Sequence, residues 1–524
     1  MSLDLDSGAA ALGRRAARAP VEAHRWRGWA APGVPALLAL ALGSWGLFRQ
    51  GAIWRDEAAT WAVAERSIPE IWHTIAHVDV VHGLYYLLMH AIFTVFGANL
   101  LALRLPSVLG LIIAAAATAA TGRRLAGPLG GLAAGLVVAL VPAMQRYGQE
   151  GRSFTLVTAG VAVATWLLVG AVCPAGPASA RDGRGRRIAW GWRWAGYTTV
   201  MVGAALLNWL SLFALAAHGA TVAIAWRAGR RPLLARWSVS AAVVVSATLP
   251  LILASRPQSG QVAWIRPASA ASLLGVTVML VVALACARIP RREGTELSQV
   301  SVGLPLLAVP QLGLLLASWL IQPLYSDRYV LFAYTGLALL VGPAVAWGVQ
   351  TAVAHGRTRG RRWGRVRAEV PLAGVVAVAF LALLPLELGL RAPTSRTDDV
   401  RVTAAKVAAL ARAGDGVVFI PDQRRDTALV TPSAFRGLDD VALVESPIAS
   451  GTLYGIEAAP ARIPTAMLAH KRIVLVSDIT DTGGSAAASA SRDRAKRAVL
   501  ARHFTPLTSA ETGGRRITVY ERAR

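Results

Sequence analysis

Apolar runs long enough to cross a bilayer recur from residue 34 to about residue 390, and they leave this 524-residue chain few ways to fold. Inside hydrocarbon every backbone N–H and C=O must find its partner within the protein, and runs near 20 residues do so as helices. With 55% hydrophobic residues the chain is too apolar for an ordinary soluble domain. The formal charge of +25 would suit nucleic acid only if the basic residues gathered on one folded face or in a tail. They fall instead in short links between apolar runs, which is a topology signal. Two cysteines, Cys173 and Cys286, exclude a disulfide framework and a cysteine-ligated zinc domain. Arg14, Arg15, Arg18, Arg25 and Arg27 precede the apolar stretch 34–48, and no small-residue cleavage site follows it. This reads as a retained signal anchor with its N-terminus inside.

The short apolar stretch 82–96 decides the orientation of everything after it. If it lies along the outer surface, spans follow at 100–121, 126–144, 154–173, 195–209, 211–226, 236–254, 270–288, 302–321, 329–350 and 369–389, about eleven with the first. The Arg-rich links (Arg123 and Arg124, then 181–193, 227–236, 288–292 and 357–367) then all face the cytoplasm. About 25 Lys and Arg lie inside against about 8 outside, as the positive-inside rule requires. Were 82–96 a span, every later link would invert, so a juxtamembrane helix is expected there. The polar break at Asn208 to Ser211 divides the run 195–226 into two spans. Past Leu390 the composition changes: 416–421 and 472–477 read as buried strands, alternating with Ala-rich helices at 400–413, 459–469 and 489–502. The expected organisation is a basic, disordered cytoplasmic tail at 1–32 and a transmembrane domain at 33–390 whose first outer loop is 51–99. A small extracytoplasmic α/β domain follows at 391–524, with no GxGxxG or P-loop.

Under this topology four polar clusters share the outer side: 54–58, 79–86, 146–152 and 325–329. The spans hold almost no ionisable residue at mid-depth, which favours a reaction at the membrane face over an ion path through it. The adjacent Asp56 and Glu57 are placed to hold a hydroxyl, a metal or both, although such pairs also complement helix N-termini. Ser67 and Glu70 have capping-box spacing. Arg328 reads either as an anion-binding group or as a snorkelling arginine paired with Asp327. Arg146 and Arg152 suit headgroup contacts equally well. Tyr85, Tyr86 and Tyr329 also suit an aromatic belt.

Five motifs follow one another: Trp54-x-Asp56-Glu57-Ala58, His82-x-Leu84-Tyr85-Tyr86, Arg104-Leu105-Pro106-Ser107, Tyr147-x-Gln149-Glu150-x-Arg152 and Asp327-Arg328-Tyr329. As an ordered set over about residues 34–350, they resemble bacterial integral-membrane glycosyltransferases of the GT-C fold, the superfamily of protein O-mannosyltransferases and aminoarabinose transferases. The commoner His-Pro-Pro-Leu-Tyr is replaced here by His82-Gly83-Leu84-Tyr85. The resemblance implies an all-α polytopic membrane enzyme of the cell membrane. It would move a sugar, mannose favoured, from a polyprenyl-phosphate donor to a hydroxyl of a glycan, lipid or protein acceptor on the outer face, with inversion. Membrane lipids are its surroundings and nucleic acid is not a partner. In that chemistry Asp56 takes the acceptor proton, and Glu57 orients the acceptor or Asp56, or helps bind a metal. Arg328, with Arg146 and Arg152, stabilises the leaving phosphate. Glu150, His82, Tyr85, Tyr86 and Tyr329 line the substrate site. A divalent metal would draw on Glu57, Asp79 and His82, and on His77 in addition. Two readings from other classes remain: a transporter or flippase of lipid-linked sugars, and a non-catalytic partner in envelope assembly that works through its C-terminal domain.

Overall fold

The computed structural model describes residues 20–47, 52–173, 183–227, 231–262, 265–290, 297–360, 366–479 and 487–523. The basic tail is described from Pro20, where helix α1 (Pro20–Ser44) begins; the rest of the tail lies outside the described residues. Three short helices follow: α2 (Arg55–Ala64), α3 (Ile68–His77) and α4 (Gly83–Phe96). At 14 residues α4 is about 21 Å long, short of a hydrocarbon core of about 30 Å. The Ser67 N–H donates to Glu70 Oε2 at 2.8 Å, closing the capping box that starts α3.

Helix α5 (Leu100–Leu140) is two antiparallel arms folded back at Gly127, whose φ of 83° only glycine adopts at low cost. Pro128 then opens the second arm, where a missing N–H costs nothing. The arms touch backbone to backbone: a Cβ on Gly131 would lie 2.4 Å from the Arg123 nitrogen. Helices α6 (Pro142–Gly148), α7 (Phe154–Val172), α8 (Gly183–Leu207) and α9 (Leu212–Arg227) follow. A 3₁₀ turn separates α8 from α9, fixed where the Asn208 side chain accepts from the Leu210 N–H at 3.1 Å. The bundle ends with α10 (Arg231–Ser255), α11 (Ala270–Cys286), α12 (Gln299–Leu320), α13 (Ala333–Thr358) and α14 (Glu369–Leu390). Among the described residues seven helices are long and apolar enough to cross a membrane, with shorter apolar helices at Ala31–Ser44 and Ala270–Cys286 beside them. This is a multi-pass membrane protein.

The ends of these helices meet where the polar clusters lie. The Gln149 amide donates to the Trp45 carbonyl at 2.8 Å, and the Arg391 guanidinium binds the same carbonyl at 2.9 Å, Gln145 at 2.6 Å and Glu387 at 2.6 Å. That ties α14 and α6 to the end of α1. Within the bundle, His218 is held by Thr165 at 2.9 Å and Tyr197 at 3.2 Å, so both ring nitrogens are satisfied. Its role is to bind α7, α8 and α9 together.

Beyond α14 come α15 (Val400–Leu410), β1 (Gly416–Ile420), α16 (Asp426–Val430), β2 (Asp439–Asp440), β3 (Leu443–Glu445), β4 (Ile456–Glu457), α17 (Ile463–Leu468), β5 (Arg472–Asp478), α18 (Ala487–His503), β6 (Phe504–Thr512) and β7 (Arg515–Arg522). The main sheet has the order β2-β1-β5-β7-β6; β1 runs parallel to β2 and β5, and β7 antiparallel to β5 and β6. Helices cover both faces, so β1 is buried throughout: Val418 and Ile420 enter one apolar cluster and Val417 and Phe419 the other. The sheet unit docks on the first short helix. Val400 N–H donates to the Ile53 carbonyl at 2.8 Å, Arg55 N–H to Asp398 at 3.0 Å, and Ile53, Ala58 and Val400 form one apolar cluster.

Candidate active site

Asp56 and Glu57 occupy the first turn of α2, where their charge suits the helix dipole. Neighbours on a helix point about 100° apart, so the pair divides between two environments. Asp56 faces the cluster at the bundle end. Its Oδ2 accepts from Arg328 Nη1 at 2.7 Å and lies 3.8 Å from Arg152 Nη2. Burial alone would raise its carboxyl, but Arg152 and Arg328 together outweigh burial and hold it below the ordinary aspartate value. At neutral pH Asp56 is therefore an anion between two cations.

Glu57 faces the core and is fully buried. Arg104 grips both of its oxygens at 2.8 Å, and the Gly151 N–H donates to Oε1 at 2.8 Å. Glu57 is thus held in a bidentate ion pair with Arg104, turned away from the Asp56 cluster. The other two expected ligands do not complete a metal set. Asp79 Oδ1 stands 3.9 Å from His82 Nε2, and its Oδ2 accepts from the Tyr86 hydroxyl. His77 turns its Nδ1 to the His73 carbonyl at 2.8 Å. Among the described residues no group of three or more His, Cys, Asp or Glu gathers as a metal site.

The arginines divide in the same way. Arg328 is bound to Asp56 across 272 positions and lies over Phe154 and Tyr329 at 5.5 and 5.4 Å. Asp327 accepts from the Tyr147 hydroxyl and the Arg328 backbone N–H, both at 2.9 Å. Arg152 is buried, donates to Thr60 at 3.3 Å, and keeps its Nε without a hydrogen-bond partner. Arg146 is half-exposed and sits 3.8 Å from Glu150, away from Asp56.

Three further expected residues join Asp56. His82 is half-buried; desolvation lowers its ring to about 4 against the pull of Asp79, so it is neutral, with Nδ1 unpartnered. Tyr86 points its hydroxyl at Asp79, whose φ of 61° is the one left-handed backbone among described residues other than glycine. Tyr329 flanks Arg328. Tyr85 does not join them. One position from Tyr86 on the helix, it packs into the core with Ala64, Met89, Phe93 and Leu103.

Glu150 belongs to an adjoining buried cluster. Its Oε1 is 3.6 Å from Arg396 Nε and 3.8 Å from Arg146 Nε, and its carbonyl accepts from the Arg152 backbone N–H at 2.8 Å. Both carboxylate oxygens, along with Nε and Nη1 of Arg396, lack hydrogen-bond partners. Burial pushes the Glu150 carboxyl up to about 7 against the pull of Arg396, and the charge of Glu57 adds to the rise. Because the folded value exceeds the ordinary 4.5, the folded chain holds this proton more tightly than the unfolded one. Stability is therefore full below pH 4.5 and falls by about 3 kcal/mol as pH rises through 7. Glu150→Gln is expected to flatten that slope in melting curves taken from pH 5 to 8; an unchanged slope assigns it elsewhere. Arg396 carries no local sequence signal, since only the fold brings it to residue 150.

No family model matches the chain, and no curated protein matches it. Among solved structures, ArnT from Cupriavidus metallidurans in the apo state is similar over 93% of this chain and 97% of that one, with a TM-score of 0.55 and 14% identity. The same protein bound to undecaprenyl phosphate gives a TM-score of 0.50 at 13% identity, with the same coverage. The shared property is the fold. It is the GT-C fold that the ordered motifs implied.

Proposed function

We propose that the protein is a glycosyltransferase that moves a sugar, with mannose favoured, from a polyprenyl-phosphate donor to an acceptor hydroxyl at the outer membrane face. The observation that carries this reading is Asp56, an ionised carboxylate set between Arg328 and Arg152 at the end of a membrane bundle. The ArnT structure that holds undecaprenyl phosphate fits a donor of this class. The side is argued from charge: by the parity of the spans the Arg-rich links fall on the side opposite Asp56, which the positive-inside rule puts in the cytoplasm.

In the proposed reaction the acceptor oxygen attacks the anomeric carbon as the bond to the lipid phosphate breaks, in one displacement with inversion. Asp56 accepts the hydroxyl proton. The electron pair of the broken bond leaves on the phosphate, whose charge Arg328 and Arg152 receive. Asp56 and the phosphate thus compete for the same guanidinium: donor binding draws Arg328 toward phosphate and frees the carboxylate for the acceptor. Neutral His82, with its open Nδ1, and Tyr86 suit sugar hydroxyls. Glu57 and Arg104 hold α2 in place. No step is routed through a metal; of the three expected ligands, Glu57 is engaged by Arg104, while Asp79 and His82 stand 3.9 Å apart. A transporter would need polar groups along a path through the bundle, and His218 has both nitrogens engaged in tying helices.

The test is transfer or hydrolysis of radiolabelled polyprenyl-phosphomannose by the purified protein in nanodiscs, with other lipid-linked sugars in parallel. Turnover of one of them supports the reading, and inertness toward all of them sinks it. Arg328→Ala is expected to weaken binding of bare polyprenyl phosphate about 10- to 100-fold, the loss of a charge-assisted hydrogen bond. Unaltered affinity in that variant removes Arg328 from the phosphate site.

A further inference from the structure

Helix α13 starts just past Arg328, and its 26 residues carry the chain about 39 Å away from the Asp56 cluster to Thr358. The positive-inside rule puts this far end, with its arginines, at the cytoplasmic leaflet. There α13 and the start of α14 touch and then part. Ala346 and Leu372 share an apolar cluster with Leu129 and Ala133, but Leu372 and Glu387 are the only residues of α14 that the fold buries. Between the two helices runs a groove of about 550 Å³, a volume in the range of ligand sites. Val345, Val349 and Val353 stack one turn apart along one wall, and Val370, Pro371 and Val375 form the other. Gly348 and Ala352 lie beside the first three valines, and a Cβ added at Gly348 would meet nothing within 4 Å. Val370 is 61% exposed and Val375 43%, so the groove opens sideways toward the bilayer.

The mouth of the groove is basic. Arg357 stands one turn past Val353 on the same face, and Arg367 follows Val366, another lining residue; both arginines are exposed, as is Arg359. One carboxylate, Glu369, lies near them in the chain. Apolar walls below a cationic rim fit a molecule divided in the same way, an acyl chain under an anionic headgroup. The spacing Gly348-x-x-x-Ala352 would also suit a packed helix, but a second copy docked by this face would set the same arginines against each other.

We propose that the groove between α13 and α14 is a site for an anionic phospholipid of the cytoplasmic leaflet, with an acyl chain along Val345, Val349 and Val353 and the headgroup phosphate at Arg357 and Arg367. It lies at the opposite end of α13 from Asp56 and takes no part in the proposed reaction. Lipid bound there braces α14, the helix that leads into the sheet unit, against α13.

The full chain, purified in detergent and stripped of lipid, is titrated with dioleoylphosphatidylglycerol or dioleoylphosphatidylcholine, and the first lipid adduct is followed by native mass spectrometry. The acyl chains are the same, so the difference reads the headgroup alone. Phosphatidylglycerol is expected to bind about 10- to 30-fold more tightly, and Arg357→Gln and Arg367→Gln should each weaken it about fivefold, the worth of one cation beside an anionic lipid. Neither change should alter binding of phosphatidylcholine. Gly348→Phe fills the groove and should weaken both lipids about tenfold at an unaltered lipid-free melting temperature. Leu249→Phe, at an exposed position on α10, should weaken neither. Equal binding of the two lipids by the parent overturns the proposal, and so does undiminished phosphatidylglycerol binding in a folded Gly348→Phe. A parent dimer that Gly348→Phe dissociates also overturns it, since the groove is then a contact between copies. If Gly348→Phe fails to fold, the two arginine variants decide: both change exposed side chains, and affinity unchanged in both sinks the site.

Discussion

Asp56→Asn is expected to lower turnover of the lipid-linked sugar by about a hundred- to ten-thousand-fold, the usual worth of a positioned general base. Asn keeps the shape and can still accept a hydrogen bond, but it cannot take the proton. The same change removes the anion that shares Arg328 and Arg152 with the phosphate. Polyprenyl phosphate should therefore bind the variant at least as tightly as the parent, and single-turnover rates with a separate binding titration will distinguish the two effects. A variant that loses binding and rate together would mean that Asp56 is a scaffold residue. A variant that keeps its rate would remove it from the chemistry.

The second large effect concerns stability. Glu57 and Arg104 are both fully buried and meet at 2.8 Å. Arg104→Met leaves Glu57 without its cation in a low-dielectric core, which costs about 3–5 kcal/mol. We expect a large drop in melting temperature, or loss of the folded protein, for Arg104→Met and for Glu57→Gln. The double replacement should recover part of the loss, because no uncompensated charge then remains. Adjacent positions on α2 thus give opposite outcomes: the variant at 56 folds and fails to turn over, while the variant at 57 fails to fold. If Glu57→Gln instead melts like the parent and loses only turnover, Glu57 belongs to the catalytic groups after all.

The two strands read from the sequence, β1 and β5, are the ones buried on both faces, where an unbroken apolar run is the signal. β6 and β7 were not legible in that way. β6 is a largely exposed edge strand of mixed polarity, and β7 carries charged residues at both ends. The hairpin within α5 was legible as two spans because Arg123 and Arg124 interrupt the apolar pattern. The close approach of its arms was not, since it depends on Gly122, Gly131 and Gly135 meeting across the turn. In the site, the ordered motifs singled out Asp56, His82, Tyr86, Arg152 and Arg328, and the structure brings these five together.

Local sequence determined the apolar runs, the arginine asymmetry between their links, the break at Asn208, the capping of α3 and the motif order, because hydropathy, charge and capping act over a few residues. Tertiary structure alone decided which member of a pair such as Asp56 and Glu57, or Tyr85 and Tyr86, faces the cluster. It also decided that Arg328 joins Asp56 and that Arg396 joins Glu150. Electrostatic and packing partners are chosen by distance in space, and residues 56 and 328 become neighbours only once the helices between them have packed.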